Sequence, residues 1–349
     1  YFPLSTYKVM KASPSSIILV SKDLMLRDGV GNSARSFRDY FQSLGFDVKM
    51  VAKNSDDSSV LRLDEYLTTH DINSVLIYHF SIFDPYFSCF LELKWKKKIL
   101  YYHGITPPEF LKSPLADECR SGLAQISQLP CFDLYLSNSF SSMHQFLSNT
   151  LSKPIFEICP PILSHAKSPF CLPNISRLDL LSHKPELIFL INSSTSTHKC
   201  LERVHQFLNK LSHSFAITLN FVSRSTFPNT EDESLYNRAD FIDVDDKKMA
   251  EVYRSSHIYI SFSSHEGYSI PFFLSLYYGL VPIIQSSAVA NEYLPDSFPY
   301  LSSHPSTQEF KSVVFSLTQQ YTEHCRYSHE MNLSYVNSSM NKLLSLLTD

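Results

Sequence analysis

The stretch from Ile258 to Ile284 concentrates the residue types best able to do chemistry. It runs Ile258-Tyr-Ile-Ser-Phe-Ser-Ser-His-Glu-Gly-Tyr-Ser-Ile-Pro-Phe-Phe-Leu-Ser-Leu-Tyr-Tyr-Gly-Leu-Val-Pro-Ile-Ile284. This reads as strand, polar loop, helix with Pro271 in its first turn, a stop at Gly279, and a second strand. The amides of Gly267, Tyr268, Ser269 and Ile270 then lie at a helix N-terminus, where unpaired N–H groups and the helix dipole attract phosphate. Glu266 beside them only accepts hydrogen bonds, which suits sugar hydroxyls and not a phosphate. The same spacing also fits an ordinary strand-to-helix turn with a capping acid. Asp243-Val-Asp-Asp246 has the outline of a metal-binding DxD, but it precedes a helix from Asp246 to Arg254 and reads better as a capped loop.

These groups need a scaffold, and the chain supplies a repeating one. Ser16 to Ser21 is a short apolar run that reads as a buried strand; the loop Arg27-Asp-Gly-Val-Gly-Asn-Ser33 follows, then a helix from Ala34 to Leu44 stopped by Gly45. Further strands are expected at 46–51, 74–79, 98–103, 134–137, 155–159, 187–192, 216–222, 258–262 and 281–284, alternating with helical stretches. Such alternation predicts parallel sheets covered by helices. Four prolines in the fourteen residues Pro160 to Pro173 make a stiff connector. The expected division is 1–165 for an N-terminal Rossmann-like domain, 166–185 for a linker, 186–330 for a C-terminal Rossmann-like domain, and 331–349 for a closing helix. In that helix Met340, Leu343, Leu344 and Leu347 share one side.

Composition excludes several classes. The 349 residues carry a net charge of −4, without the basic excess of a nucleic-acid binder. The longest mostly apolar stretch, Phe272 to Ile284, falls short of the roughly 20 residues a membrane helix needs. The seven cysteines form no CxxC pair, which argues against structural zinc and for a reducing, cytoplasmic setting. Tyr1 to Thr6 lacks the basic start of a secretory signal. No GxSxG, Walker or HExxH pattern is present. Lys94-Trp-Lys-Lys-Lys98 is a basic, aromatic cluster that fits peripheral contact with an anionic membrane, or a solvated turn.

The segment around Glu266 resembles the signature of retaining nucleotide-sugar glycosyltransferases of family 4, which have the GT-B fold. Ser263, Glu266, Gly267, Pro271, Gly279 and Pro282 match its pattern, and Tyr268 replaces an aromatic. Lys98-Ile-Leu-Tyr-Tyr-His-Gly-Ile-Thr-Pro-Pro-Glu-Phe110 resembles a segment of bacterial polysaccharide glycosyltransferases in that family, as do Cys119 to Ile126 and Phe132 to Ser141. The resemblance spans roughly residues 16 to 300. It implies an α/β GT-B fold, two Rossmann-like domains facing across a cleft, and transfer of a sugar from a nucleotide donor to a saccharide or lipid-linked glycan. It also implies that His103 contacts the donor sugar and helps stabilise charge as the diphosphate leaves, and that Glu266 binds sugar hydroxyls. It further implies that the N-terminal domain faces the acceptor and the C-terminal domain binds the nucleotide sugar, that the Gly29 to Gly31 loop approaches the diphosphate, and that front-face attack within an ion pair needs neither metal nor other cofactor.

Two positions depart from the pattern. The family's second glutamate, which binds the ribose, falls on Leu274, and its G-R-x-x-x-x-K diphosphate clamp falls on Asn192 to Cys200, where Lys199 keeps the lysine but no arginine stands. Each lost charge-assisted hydrogen bond costs roughly 1.5 to 3 kcal/mol. A non-catalytic, glycosyltransferase-like subunit is therefore the second expectation.

Overall fold

A parallel sheet covered on both faces needs strands that are apolar along their whole length, and the first strand meets that need: Ile17, Ile18, Leu19 and Val20 are all fully buried. The computed structural model describes residues 16–26, 28–129, 132–162, 185–194, 199–224 and 235–348. The expected linker 166–185 therefore lies almost wholly outside the described residues. The chain divides into two compact units, Tyr1–Lys167 with Asn332–Asp349, and Ser168–Met331.

In the first unit the strands are β1 (Ile17–Asp23), β2 (Val48–Asn54), β3 (Val60–Arg62), β4 (Val75–Phe80), β5 (Lys97–Tyr102), β6 (Leu134–Ser137) and β7 (Phe156–Ile158). They form one seven-stranded sheet in the order β3-β2-β1-β4-β5-β6-β7, parallel at every pairing. The helices are α1 (Gly29–Ser43), α2 (Leu63–Leu67), α3 (Phe87–Leu91), α4 (Leu115–Ile126) and α5 (Phe140–Ser148). Alternate side chains go to opposite faces. Ile17, Leu19, Val75, Ile77, Ile99 and Tyr101 pack against Phe37 and Phe41 of α1, whereas Ile18, Val20, Leu76, Tyr78, Leu100 and Tyr102 pack against Phe87, Phe90, Cys119 and Phe146.

In the second unit β8 (Glu186–Asn192), β9 (Ala216–Ser223), β10 (Asn237–Ile242), β11 (Ile258–Ser261) and β12 (Val281–Ile284) form a five-stranded sheet ordered β10-β9-β8-β11-β12. It too is parallel throughout. Its helices are α6 (Leu201–Ser212), α7 (Asp246–Ser255), α8 (Ile270–Tyr277), α9 (Ala288–Tyr293) and the start of α10 (Thr307–Thr348). The end of α10 belongs to the first unit, where Val336, Met340, Leu343 and Leu347 join the core on the α1 face.

Three differences from the sequence reading have physical causes. Helix α1 begins at Gly29, not Ala34, because the Asp28 carboxylate caps it by accepting the Gly31 N–H. Strands β3 and β10 were not anticipated; both are edge strands with mostly exposed or half-buried residues, so they lack the apolar signal of a central strand. Helix α10 is 42 residues long, and the closing segment is its last part, not a separate element.

Candidate functional site

In the second unit the chain's winding direction reverses between β8 and β11, and ligands of doubly wound sheets bind outside the carboxyl ends of strands at such a point. Asn192 ends β8 and Ser261 ends β11. Lys199, just before α6, and Glu266, in the loop before α8, meet there: Lys199 Nζ lies 2.7 Å from Glu266 Oε1, with side chains 18% and 16% exposed. Both line a recess with Asn192, Ser193, Tyr259 and Ser261. Glu266 also borders a second recess lined by Tyr268, Ser269, Phe272, Gln285 and Ser287. The site thus pairs a cation able to hold phosphate with a carboxylate able to accept from hydroxyls.

The supporting residues are tied down. The Asn192 amide donates to the Tyr253 hydroxyl at 3.0 Å, and that hydroxyl donates to the Pro271 carbonyl at 3.4 Å, so the end of β8 is joined to α7 and to the first turn of α8. Burial, with Glu266 close by, pushes the Tyr259 phenol well above its ordinary value, so it stays neutral. Ser263 Oγ donates to the His265 carbonyl at 2.8 Å and braces the loop. Arg203 of α6 is turned to Gln285 and the Ser303 carbonyl, at 3.2 and 2.9 Å.

Gly267, Tyr268 and Ser269 precede α8, and Ile270 is its first residue. Ser269 holds a left-handed conformation with φ of 63° and makes no side-chain cap, while Gly279, with φ of 80°, ends the helix region. Tyr268 is a core residue: it stacks on Phe273 at 4.4 Å and meets Tyr293 edge-on. Leu274, half-buried on α8, stands where the family pattern has glutamate. Asp245 caps α7 by accepting the Lys248 N–H at 2.7 Å. Among the described residues, no group of three or more His, Cys, Asp or Glu side chains is placed to hold a metal ion.

In the first unit the reversal lies between β1 and β4. His103 follows β5 directly; its N–H donates to the Phe80 carbonyl, and its own carbonyl accepts from Asn138. His103 is 8% exposed, and its imidazole lies against His79 of β4, with His79 Nδ1 3.0 Å from His103 Nε2. Burial lowers the His103 pKa to about 3. Burial, then the neighbouring imidazole, holds His79 well below the ordinary histidine range.

Gly29 and Gly31 sit in the first turn of α1 and not in an open loop. A Cβ on Gly31 would come 2.1 Å from the Met25 carbonyl oxygen, so the glycine is required by the chain's own packing. The Gly31 amide, moreover, is taken by the Asp28 carboxylate. That negative charge at the N-terminus of α1 repels a phosphate at close range.

The sequence singles out Lys199 and Glu266 separately, and the fold brings them into contact; it does not single out His79, Asn192, Tyr253, Tyr259 or Ser261, which lie beside them or beside His103. The alternation Val75, Ile77, His79 beside Ile99, Tyr101, His103 carried the signal for the histidine pair. Both histidines continue the α1-facing register to the carboxyl ends of adjacent strands.

No protein-family model and no curated protein matches the chain. Solved structures do. The Anabaena protein HepE in complex with UDP-glucose aligns with a TM-score of 0.64 at 9% identity, covering 95% of this chain and 99% of that one. Sucrose-phosphate synthase from Thermosynechococcus elongatus gives 0.65 at 12% identity, again over 95% and 99%. The apo form of WaaB, a lipopolysaccharide outer core galactosyltransferase, gives 0.61 at 10% identity over the same shares. At such identities the likeness is one of fold, and with its two parallel, helix-covered sheets the chain has the GT-B fold of glycosyltransferases.

Proposed function

We propose that the chain is a retaining glycosyltransferase that moves a sugar from a nucleotide-sugar donor to a saccharide or lipid-linked glycan in surface-polysaccharide synthesis. The observation that carries this reading is the Lys199 and Glu266 pair at the carboxyl edge of the β8 and β11 reversal. The two charges satisfy each other; a nucleotide sugar would offer a diphosphate to Lys199 and hydroxyls to Glu266. The amides of Gly267 to Ile270 lead into α8 beside them. His103 keeps the donor-sugar contact implied by the resemblance. With its pKa near 3 it acts as a neutral hydrogen-bonding group and not as an imidazolium. Catalysis then comes from positioning and from stabilising the departing diphosphate, with neither metal nor organic cofactor in the scheme.

The experiment is a thermal-shift and calorimetric screen against UDP-, GDP-, ADP-, CMP- and dTDP-sugars. HepE was solved with UDP-glucose, which makes a UDP-hexose the first ligand to try. Stabilisation by one donor, lost in Glu266→Ala, is the expected result; turnover unchanged in that variant removes the site. Leu274 and the missing clamp arginine favour a second reading, a non-catalytic binding subunit, and silence across the screen at millimolar ligand selects it.

No helix among the described residues is long and apolar enough to cross a membrane. The reading places the chain in the cytoplasm, with peripheral membrane contact through the amino edge of the first sheet. Lys94 and Lys96 to Lys98 lie at or just before the start of β5, and exposed Ile72 and Ile155 precede the starts of β4 and β7. Trp95 is already committed to packing: its Nε1 donates to the Phe90 carbonyl at 2.7 Å.

A further inference from the structure

The histidine pair contains more than the family resemblance assigns. Residues 79 and 103 both end the α1-facing rows of the first sheet, on adjacent strands. Their rings stack at 5.2 Å and 21°, with Tyr101 against both, 5.2 Å from His79 and 4.3 Å from His103. Phe37 closes the far side of His79, edge-on at 5.7 Å. Each imidazole is neutral, and one proton lies between His79 Nδ1 and His103 Nε2.

Two arrangements satisfy that contact, and they differ in what is left over. If His103 donates from Nε2, the proton of His79 sits on Nε2, an atom that is buried and has no hydrogen-bond partner among the described residues. The result is an orphaned buried N–H. If His79 donates from Nδ1, its Nε2 is a bare lone pair. A buried acceptor without a partner is tolerated more often than a buried donor without one, so the second arrangement is favoured. His103 then carries its proton on Nδ1, which has no hydrogen-bond partner among the described residues but, unlike His79 Nε2, is not one of the fully buried unpartnered atoms, so solvent or a ligand can accept from it.

We propose that His79 is a positioning residue that holds His103 in the Nδ1–H tautomer, so that His103 meets its ligand as a hydrogen-bond donor. A free histidine side chain prefers the Nε2–H form, and a neighbouring hydrogen bond can reverse that preference. A donor suits a sugar hydroxyl oxygen or an oxygen gaining negative charge as the diphosphate leaves; the opposite tautomer would present a lone pair to those oxygens. The ligand of His103 rests on the function proposed above, whereas its tautomer does not.

The test is a long-range proton–nitrogen correlation spectrum of the full chain at neutral pH with 15N-labelled histidine, His103 being assigned by the loss of its signals in His103→Phe. The expected spectrum shows His103 protonated at Nδ1. His79→Phe, which keeps the aromatic packing, should return His103 to the Nε2–H form. His79→Asn, whose side-chain amide reaches about the place of Nδ1, should keep the Nδ1–H form. A wild-type His103 protonated at Nε2, or a tautomer that His79→Phe leaves unmoved, overturns the proposal. Calorimetry with UDP-glucose adds the functional reading. His79→Phe should weaken binding by about three- to tenfold, the worth of one neutral hydrogen bond, with His79→Asn within about twofold of wild type. If UDP-glucose fails to bind the wild type while the tautomer pattern holds, the histidine pair is upheld and only the donor assignment falls.

Discussion

The Lys199 and Glu266 contact should be worth far more than an exposed ion pair, and a double-mutant cycle with Lys199→Met and Glu266→Gln measures it. At 2.7 Å Coulomb attraction is about 1.5 kcal/mol in water and about 6 kcal/mol at an effective dielectric constant of 20. Side chains 18% and 16% exposed belong nearer the second limit, but partial desolvation of both ions takes back much of the gain. A coupling of about 1 to 3 kcal/mol results, against roughly 0 to 1 for a surface pair. Because a chain of two units need not unfold in one step, the readout is native-state hydrogen exchange at amides of β8 and β11. A coupling below about 0.3 kcal/mol, the scatter of independent sites, would refute the claim that these charges are organised around each other. The same variants bear on ligand binding. Glu266→Gln keeps one acceptor but removes the charge, so donor affinity should fall by roughly one to two decades. Coupling in stability without loss of donor affinity would make the pair a structural tie and nothing more.

The two glycines of α1 should separate cleanly. Gly29→Ala meets nothing within 4 Å and should leave stability unchanged or raise it by up to about 1 kcal/mol, whereas Gly31→Ala drives a Cβ into the Met25 carbonyl and should cost about 1 to 3 kcal/mol; urea melts of both variants check this, and an equal loss in each contradicts the packing account. Acid should loosen the first unit through its buried histidines, while Asp84, whose carboxyl pKa is raised by burial, pulls the other way. The buried histidines bind protons only far below the unfolded value near 6.5, so the unfolded chain binds more and stability falls as pH drops, by at most about 1.4 kcal/mol per unit for each histidine. Exchange at β4 and β5 amides between pH 6.5 and 5 should show this slope, and it should flatten in the His79→Phe, His103→Phe double variant; a slope that survives there belongs to other groups. Leu274→Glu should raise donor affinity by about tenfold if position 274 faces a ribose, and calorimetry showing no gain would place the nucleotide elsewhere.

Legibility followed burial. Central strands such as β1 and β4, buried on both faces, announce themselves as apolar runs, and β6 and β12 have the bounds their sequence predicts. Edge strands β3 and β10 do not, because only one side of each is paired and their residues answer to solvent. The family resemblance implies that the glycine loop after β1 approaches a diphosphate, and the sequence does not show that the Asp28 carboxylate takes the Gly31 N–H there, a contact that exists only in the folded turn. Glu266 and Lys199 stand out through the family resemblance, yet their contact joins residues 67 positions apart and exists only once β8 and β11 are neighbours.

The histidines show where reading by residue type stops. A lone histidine near a strand end has no decidable role, because its tautomer depends on what its other nitrogen meets. Register supplies that partner. Tyr101 pairs with His79 across the sheet, so the side chain two residues after Tyr101 on the same face must lie beside His79 at the strand ends. The sequence contains both imidazoles at that spacing, but the information is relational: it requires knowing that β4 and β5 are adjacent, parallel and in this register. A one-residue slip of β5 would send His103 to the opposite face and leave His79 buried with no partner on either nitrogen. The pair therefore makes register and tautomer one property, and a variant that disturbs either should disturb both.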